Sequence, residues 1–532
     1  MNRGPLSRRE LLARAAALGA AACAPPAVAP PAPLDVQPVA GESMDRGHRV
    51  RSPLADRPEP TEVADVVVVG AGVTGLCAGW GLRGCGLNVV TLELADAVGG
   101  TARASHGAAL GAHYLTLPSP EAVAVRRLLH ELGVITSFDG AGRPHYAQQA
   151  LVWAPETRLF VGGTFVDDLW PEGVATAEDV RQREAFAARV EALRATVGAD
   201  GLPAFSIPVG NSSRDPALRA LTSTSFAAWL DAEGFTAPAF RWTIRYACRD
   251  DFGAPPERVS AWAGLHYFAA RRPDPADPSL GTNVLTWPEG NGWLVGRLRD
   301  GLPAAPTTGA IVRAVEPDGR VWFERAGDPT IRGVRARAVV LAVPTPVADR
   351  LLGRVSAVVP EAAPWLTVQL DVSGPPGGHG VRTAWDTVIH GVEGLGYVDN
   401  AHFGHTAWRR SGPSVLTWFR PMEDRAALRD LADGDAAELA LAELEVAHPN
   451  IRELVTAARV CRFGHGTVVP AVGLHALDAA GAPQLDALAA SVGVVDRAHC
   501  DLSGMSLFEE SATHGFAAAE RVRARLGLAG TG

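Results

Sequence analysis

An apolar strand that runs into glycines at GxGxxG spacing, a following helix, and a second strand ending in an acid predict that this chain of 532 residues is an α/β protein built on a Rossmann-type unit. Val66, Val67, Val68 and Val69 read as a parallel strand buried on both faces. Gly70, Ala71, Gly72 and Gly75 follow at once. In such a turn the first glycine permits a tight reversal, the second lets a pyrophosphate approach bare backbone, and the third lets the helix lie close to the strand. Unpaired N–H groups at the helix start then face the phosphates. The second strand, 88–92, delivers Glu93 within about 20 residues of the glycines, where a carboxylate accepts hydrogen bonds from an adenosine ribose and favours a free 2′-hydroxyl over a 2′-phosphate. An isolated glycine-rich turn is ordinary packing, but strand, glycines, helix, strand and acid in this order predict a bound dinucleotide.

With 47% apolar residues, a chain of this length buries a large core and is expected to form two intertwined domains. The net charge of −9 is mild and the basic residues are scattered, which excludes a nucleic-acid partner and favours a small-molecule substrate. All 49 basic residues are arginine and none is lysine. A coding bias explains the count, because arginine replaces lysine freely on a solvated surface. The chemical consequence stands regardless: no lysine amine is present for Schiff-base or general-base work.

Ser7, Arg8, Arg9, Glu10, Leu11 and Leu12 form a twin-arginine pattern ahead of a short alanine-rich stretch, so 1–23 reads as an export signal. The stretch is too short to span a bilayer permanently. Cleavage after the alanines at 20–22 and lipidation of Cys23 are both compatible with it, and the second would tie the protein to a membrane surface. Either places the protein in the periplasm or at the cell surface. Residues 24–62, rich in proline and poor in periodic apolar character, read as a disordered tether. Among Cys23, Cys77, Cys85, Cys248, Cys461 and Cys500 there is no CxxC pair, no His/Cys cluster has metal-ligand spacing, and no metal is expected.

Residues 92–100, LELADAVGG, add an acid-then-diglycine signature, and with it the chain resembles the flavin-containing amine oxidases and their relatives among polyene desaturases and protoporphyrinogen oxidases. The resemblance implies FAD, held non-covalently, with Gly99, Gly100 and Arg103 beside its diphosphate. Residues 107–134 are similar to the family segment that passes the flavin ring, which puts Gly111, Ala112, His113 and Tyr114 nearest the ring. Residues 287–298 and 311–346 resemble the second cofactor segment, with Val312 at the adenine. Residues 491–521 resemble the closing motif, in which an acid, Asp501 or Asp496, precedes a helix starting near Leu507 or Phe508. That helix start offers N–H groups and a partial positive charge to a reduced, anionic flavin. Glu509 and Glu510 read as surface acids stabilising its first turn.

The implied layout is a discontinuous FAD-binding domain (63–118, 285–346 and 471–528) with an interleaved α+β substrate domain (119–284 and 347–470). The chain departs from the family in three places: no lysine is available near flavin N5, the aromatic pair expected around the amine is replaced by 463–470 (FGHGTVVP), and Cys461 lies early for a covalent flavin link. His113, Tyr114 and His465 are the candidate catalytic residues by position, while Tyr114, Trp287 and Trp293 either wall the ring or fill the core. The polar stretch 241–268, with Arg245, Arg249, Asp250, Asp251, His266 and Tyr267, either lines a pocket or forms a buried ion-pair network. The expected reaction takes a hydride from a C–H next to nitrogen, or from an activated C–C unit, to flavin N5, with oxygen or a quinone as the acceptor. A polyene desaturase or isomerase and a non-catalytic FAD-stabilised protein remain as alternatives.

Overall fold

The computed structural model describes residues 34–41, 44–152, 156–271, 283–401 and 411–528. The export signal and Cys23 lie outside them. Among the described residues, no helix is long and apolar enough to cross a membrane.

Four strands make a parallel core: Val89–Leu92, Glu62–Val69, the far half of Asp328–Leu341, and Val495–Arg497. The near half of Asp328–Leu341 turns antiparallel onto Arg320–Arg325, which pairs with Ala310–Val315. Val66, Val67, Val68, Val339 and Val340 are sealed completely, as a sheet covered on both faces requires. The helix Val73–Gly81 is buried almost all round, so it carries no polar stripe. It lies between the sheet and the closing helix Phe508–Arg525, which approach it at glycines: a Cβ on Gly515 would stand 2.4 Å from the Thr74 carbonyl.

A second, mixed sheet runs in the order Val455–Val469, Glu361–Val372, Ser414–Pro421, Tyr397–Asp399, Asp386–Ile389, Thr157–Val161 and Thr164–Asp167. Helices Ala177–Ala195, Phe226–Ala232, Pro238–Phe252 and Ala261–Ala270 build a large aromatic-rich core that includes Trp365, Trp385 and Phe419 of this sheet. Pro238 starts its helix at a position where no N–H is needed, and the Asp179 carboxylate accepts the N–H groups of Ala239 and Phe240 at 2.7 and 3.1 Å. From Val36 onward both sheets belong to one unit.

The tether expected over 24–62 is corrected for its described part. Met44–His48 and Arg49–Arg51 are helical, Val39 donates its N–H to the Val460 carbonyl (2.8 Å), and Trp322 Nε1 donates to the Pro58 carbonyl (2.8 Å). Arg49 and Arg57 pair with Glu324 and Glu316. Backbone acceptors and ion pairs hold this segment to the sheets without the apolar periodicity that would have announced it.

His266 illustrates how tightly the helical core is closed. It is 2% exposed, its Nε2–H donates to the Ser206 carbonyl at 2.8 Å, and burial drives its pKa down to about 3. The unfolded chain protonates this ring near its ordinary value, so His266 contributes stability that is complete above that value and lost as the pH falls towards the folded one. The stability margin of wild type over His266→Phe is therefore expected to shrink between about pH 6 and about pH 4, by up to about 1.4 kcal/mol per pH unit. Chemical denaturation of both proteins across this range tests it, and a constant margin contradicts it.

Candidate active site

The strand Glu62–Val69 ends at Gly70, whose φ of +93° makes the reversal and whose Cβ, if present, would strike the Ala342 carbonyl at 2.5 Å. Five residues on, a Cβ at Gly75 would stand 1.9 Å from the Gly70 carbonyl. Only glycines let helix and strand close to this distance. At Gly72, between them, an added Cβ meets nothing within 4 Å, so open space adjoins bare backbone at the helix N-terminus. The diglycine comes to the same place: Gly99 donates its N–H to the Ala71 carbonyl (2.8 Å) and bridges Gly72, with Gly100 close beside it. Glu93 accepts the N–H groups of Ala71 (2.6 Å) and Ala95 (2.9 Å). Arg103 is buried, with Nη2 3.9 Å from Cys461 Sγ, and Val312 is buried at a bulge in Ala310–Val315.

The chain then folds over the diglycine. Ala112 donates its N–H to the Thr101 carbonyl (2.9 Å), and a Cβ on Gly111 would stand 2.3 Å from that same oxygen. The segment 286–291 grips the next residues: Thr286 Oγ1 donates to the His113 carbonyl (2.6 Å) and Asn291 Nδ2 to the Tyr114 carbonyl (2.9 Å). Gly111, Ala112, His113, Tyr114 and Thr116 thereby line a cavity that is partly open to solvent. Phe508 and Glu509, in the first turn of the closing helix, line it from another side. Trp365, Phe419 and Phe463 of the second sheet wall it, and Asp250, Asp251 and Arg271 add charged groups to its lining.

His113 is a neutral ring, because burial drives its pKa down to about 4. With Nδ1–H donating to the Gly111 carbonyl (3.0 Å), Nε2 keeps its lone pair. The ring packs against Phe419, Tyr114 and Trp385 at 4.8, 5.2 and 5.5 Å. Burial, followed by the Asp250 charge, holds the Tyr114 phenol far above its usual range. Asp501 does not line the cavity and accepts the Thr345 N–H at 2.7 Å. Burial works against its ionisation, but the His499 imidazole 2.8 Å away and the Thr345 N–H outweigh it and hold the carboxyl below its usual range. Asp496, the other acid considered for this role, is committed to Arg525, Arg521 and Ser491. His499, Cys500 and Asp501 bring ligand atoms within 4.8 Å of one another, a grouping that the sequence spacing did not suggest.

Several expectations are corrected here. His465 is exposed and does not line the cavity. The pairing of Val455–Val469 with Glu361–Val372 slips between Phe463 and Thr467, and the bulge takes His465 out of line while Phe463 and Thr467 stay in the wall. Trp287 and Trp293 stack at 4.5 Å in the core and wall nothing, whereas Tyr114 lines the cavity. Glu509 and Glu510 are not surface acids. Glu509 accepts the Thr116 hydroxyl (3.0 Å), and Glu510, 1% exposed, accepts the Val209 N–H (2.6 Å), with burial pushing its pKa up to about 7. The polar stretch divides: Asp250 and Asp251 reach the cavity, His266 serves the core, and Arg245 and Arg249 turn to Glu393. Trp365, Thr367, Phe419 and Asn291 went unnoticed in the sequence, where only the alternation of Trp365 and Thr367 along their strand hints that they share a face.

Residues 65–200 match the FAD binding domain family. No curated protein matches the sequence. Among solved structures, the chain is similar to wild-type putrescine oxidase bound to putrescine, at 18% identity and a TM-score of 0.59 over 87% of this chain and 100% of that one. A triple mutant of putrescine oxidase with redesigned cofactor binding gives 20% and 0.61 over 88% and 100%, and cyclohexylamine oxidase from Brevibacterium oxydans IH-35A gives 17% and 0.59 over 87% and 99%. The chain therefore carries a segment that matches FAD-binding domains and shares the fold of these amine oxidases.

The residues fit FAD. Open space at Gly72 adjoins the glycines and the helix N-terminus, as a diphosphate requires. Asn291 Oδ1 and Thr367 Oγ1, each on a residue 1% exposed and lining the cavity, make no hydrogen bond among the described residues, so polar atoms await a ligand there. Gly72→Ala is expected to leave the thermal midpoint of the apoprotein unchanged and to weaken FAD binding at least about tenfold, because its backbone suits any residue and only the diphosphate meets the new methyl. Gly75→Ala, by contrast, is expected to destabilise the fold itself by about 1–3 kcal/mol. Thermal melts and flavin titration of the two variants separate these effects, and unchanged FAD affinity in Gly72→Ala contradicts the assignment.

Proposed function

We propose that this protein is an FAD-dependent oxidoreductase of the amine oxidase type, which oxidises a C–H bond next to nitrogen in a small amine. The observation that carries the reading is the cavity itself: walled by aromatic rings, with Asp250, Asp251, Arg271 and Glu509 in its lining, and bounded by the two segments that reach the flavin ring in the family it resembles. FAD supplies the hydride acceptor. Trp365, Phe419, Phe463 and Tyr114 exclude water and bracket the carbon chain of the substrate. The lone pair of neutral His113 accepts a hydrogen bond from the reacting nitrogen, which must be uncharged to give up hydride. With no lysine in the sequence, no side-chain amine would stand beside a bound flavin to assist reaction with oxygen, so a quinone or another carrier would be as fitting an acceptor as oxygen.

Binding of FAD is non-covalent in this reading. The five described cysteines are Cys77, Cys85, Cys248, Cys461 and Cys500, and none lines the cavity. Export by the twin-arginine route to the periplasm or cell surface, with a lipid on Cys23 as one form of attachment, is part of the proposal and rests on the N-terminal pattern alone. An apolar polyene is disfavoured as substrate by Asp250, Asp251, Arg271 and Glu509 in the lining, and a purely structural role for FAD is disfavoured by the open space beside them.

Anaerobic mixing of the FAD-loaded protein with panels of amines and polyenes tests the reading. Small amines are expected to bleach the visible flavin absorbance. Bleaching by polyenes alone, or by neither class, contradicts it.

A further inference from the structure

The helix Phe508–Arg525, which brings Phe508 and Glu509 to the cavity described above, also carries Glu510, Thr513 and His514 to the lining of a second one. The two cavities share no lining residue, and the oxidation proposed above does not use the second. Arg219, at the end of the helix Pro216–Arg219, and His475, just beyond the strand Val455–Val469, supply its buried polar groups. Pro208, Val209, Leu485 and Leu502 supply its apolar surface.

Several of these polar groups lack partners. Arg219, 4% exposed, donates from Nε to the Ser213 carbonyl (2.9 Å) and from Nη1 to the His475 carbonyl (3.4 Å). Among the described residues its Nη2 makes no hydrogen bond and the guanidinium forms no ion pair. Burial, and then the Arg214 charge, pull its pKa down to about 10, so it remains a cation. Neither acid of the lining neutralises it. Glu510 accepts the Val209 N–H (2.6 Å) and the Ser503 hydroxyl (2.5 Å), and Asp486 pairs with Arg214 (3.4 Å). His475, 2% exposed, is a neutral ring, because burial drives its pKa down to about 4. Its Nε2–H donates to the Ser503 carbonyl at 2.9 Å, which leaves a lone pair on Nδ1. That nitrogen and Thr513 Oγ1 are buried with no hydrogen-bond partner among the described residues. Trp262 holds both main groups in place: the guanidinium lies 4.5 Å over its ring and the imidazole stacks on it at 4.7 Å.

A buried cation without a counter-charge and a buried acceptor without a donor each cost free energy until a ligand completes them. Water meets the lone pair and the hydroxyl but not the charge. The complement is a molecule with an anionic oxygen for Arg219, an O–H for His475 Nδ1 and a short carbon skeleton for the apolar surface. Phosphate offers the same polar atoms, but its second negative charge meets Glu510 and Asp486 in the lining. We propose that this second cavity binds a small monocarboxylate bearing a hydroxyl group, whose carboxylate pairs with Arg219 and whose hydroxyl donates to His475 Nδ1, with Thr513 Oγ1 completing its contacts.

Calorimetric titration of the FAD-loaded protein with lactate, propionate and inorganic phosphate tests this on wild type, Arg219→Gln and Thr513→Val. Lactate is expected to bind wild type with a Kd of about 1 mM or tighter. Propionate, which lacks the hydroxyl and leaves His475 Nδ1 unpaired, is expected to bind about tenfold more weakly. Arg219→Gln is expected to weaken lactate binding at least about tenfold, through loss of the charge-assisted pair. Thr513→Val is expected to weaken it about threefold without lowering the thermal midpoint, because its hydroxyl bonds nothing in the fold. Absence of lactate binding, equal binding of lactate and propionate, or tighter binding of phosphate overturns the proposal. Lactate binding that is unchanged in the variants overturns it too, because the anion then sits elsewhere. Should Arg219→Gln not fold, Thr513→Val and the propionate comparison decide.

Discussion

The constraint on which the site depends is the approach of backbone to backbone where the helix Val73–Gly81 meets the end of the strand Glu62–Val69. Gly75 lies so near the Gly70 carbonyl that no side chain fits, and the same helix receives the closing helix Phe508–Arg525 at Gly515. Much else follows from that approach. It aims the N-terminus of the first helix at the space beside Gly72, brings the diglycine onto Ala71, and brings in the N-terminus of the last helix so that Phe508 and Glu509 reach the cavity. Residues more than 400 positions apart in the chain thus form one site because two helices and a strand approach one another at glycines.

The second sheet supplies what the cofactor half lacks. Its strands bring Trp365, Thr367, Phe419 and Phe463 to one side of the cavity, and the helical layer behind it delivers Asp250, Asp251 and Arg271. The electrostatics of the lining are coupled. His113 and Tyr114 are kept neutral by burial, and at Tyr114 the charge of Asp250 adds to it. Low polarizability around the cavity magnifies both effects, since a charge there is screened far less than at the surface.

Much of the cofactor half was legible in the sequence, because its chemistry is local. A strand of four valines, glycines at fixed intervals and an acid at the end of the next strand encode their own geometry, and the α/β architecture follows from them. The start of the closing helix was legible for the same reason. What stayed hidden depends on tertiary context. The bulge that ejects His465 arises from strand pairing over a hundred residues apart, and nothing near His465 announces it. Trp287 and Trp293 stack on each other because of how their segment turns, not because of their spacing. Glu509 and Glu510 carry the composition of a solvated first turn, and only the packing of 116 and 209 against them makes them interior groups. The docked segment before residue 62 went unread because ion pairs and single backbone hydrogen bonds leave no period. Asp250 is the same case in reverse: an Arg-Asp-Asp sequence suggests mutual neutralisation, and only the fold shows that Asp251 pairs with Arg271 while Asp250 forms no ion pair among the described residues.

FAD is expected to lie along this glycine-lined path with its ring in the aromatic cavity. A crystal structure of the flavin-loaded protein measures that directly. The diphosphate is predicted at Gly70–Gly72 and Gly99–Gly100, and the isoalloxazine between Gly111–Tyr114 and the start of the Phe508 helix, with Asp250 beyond it. A ring found outside this cavity, or a diphosphate away from the glycines, would contradict the account.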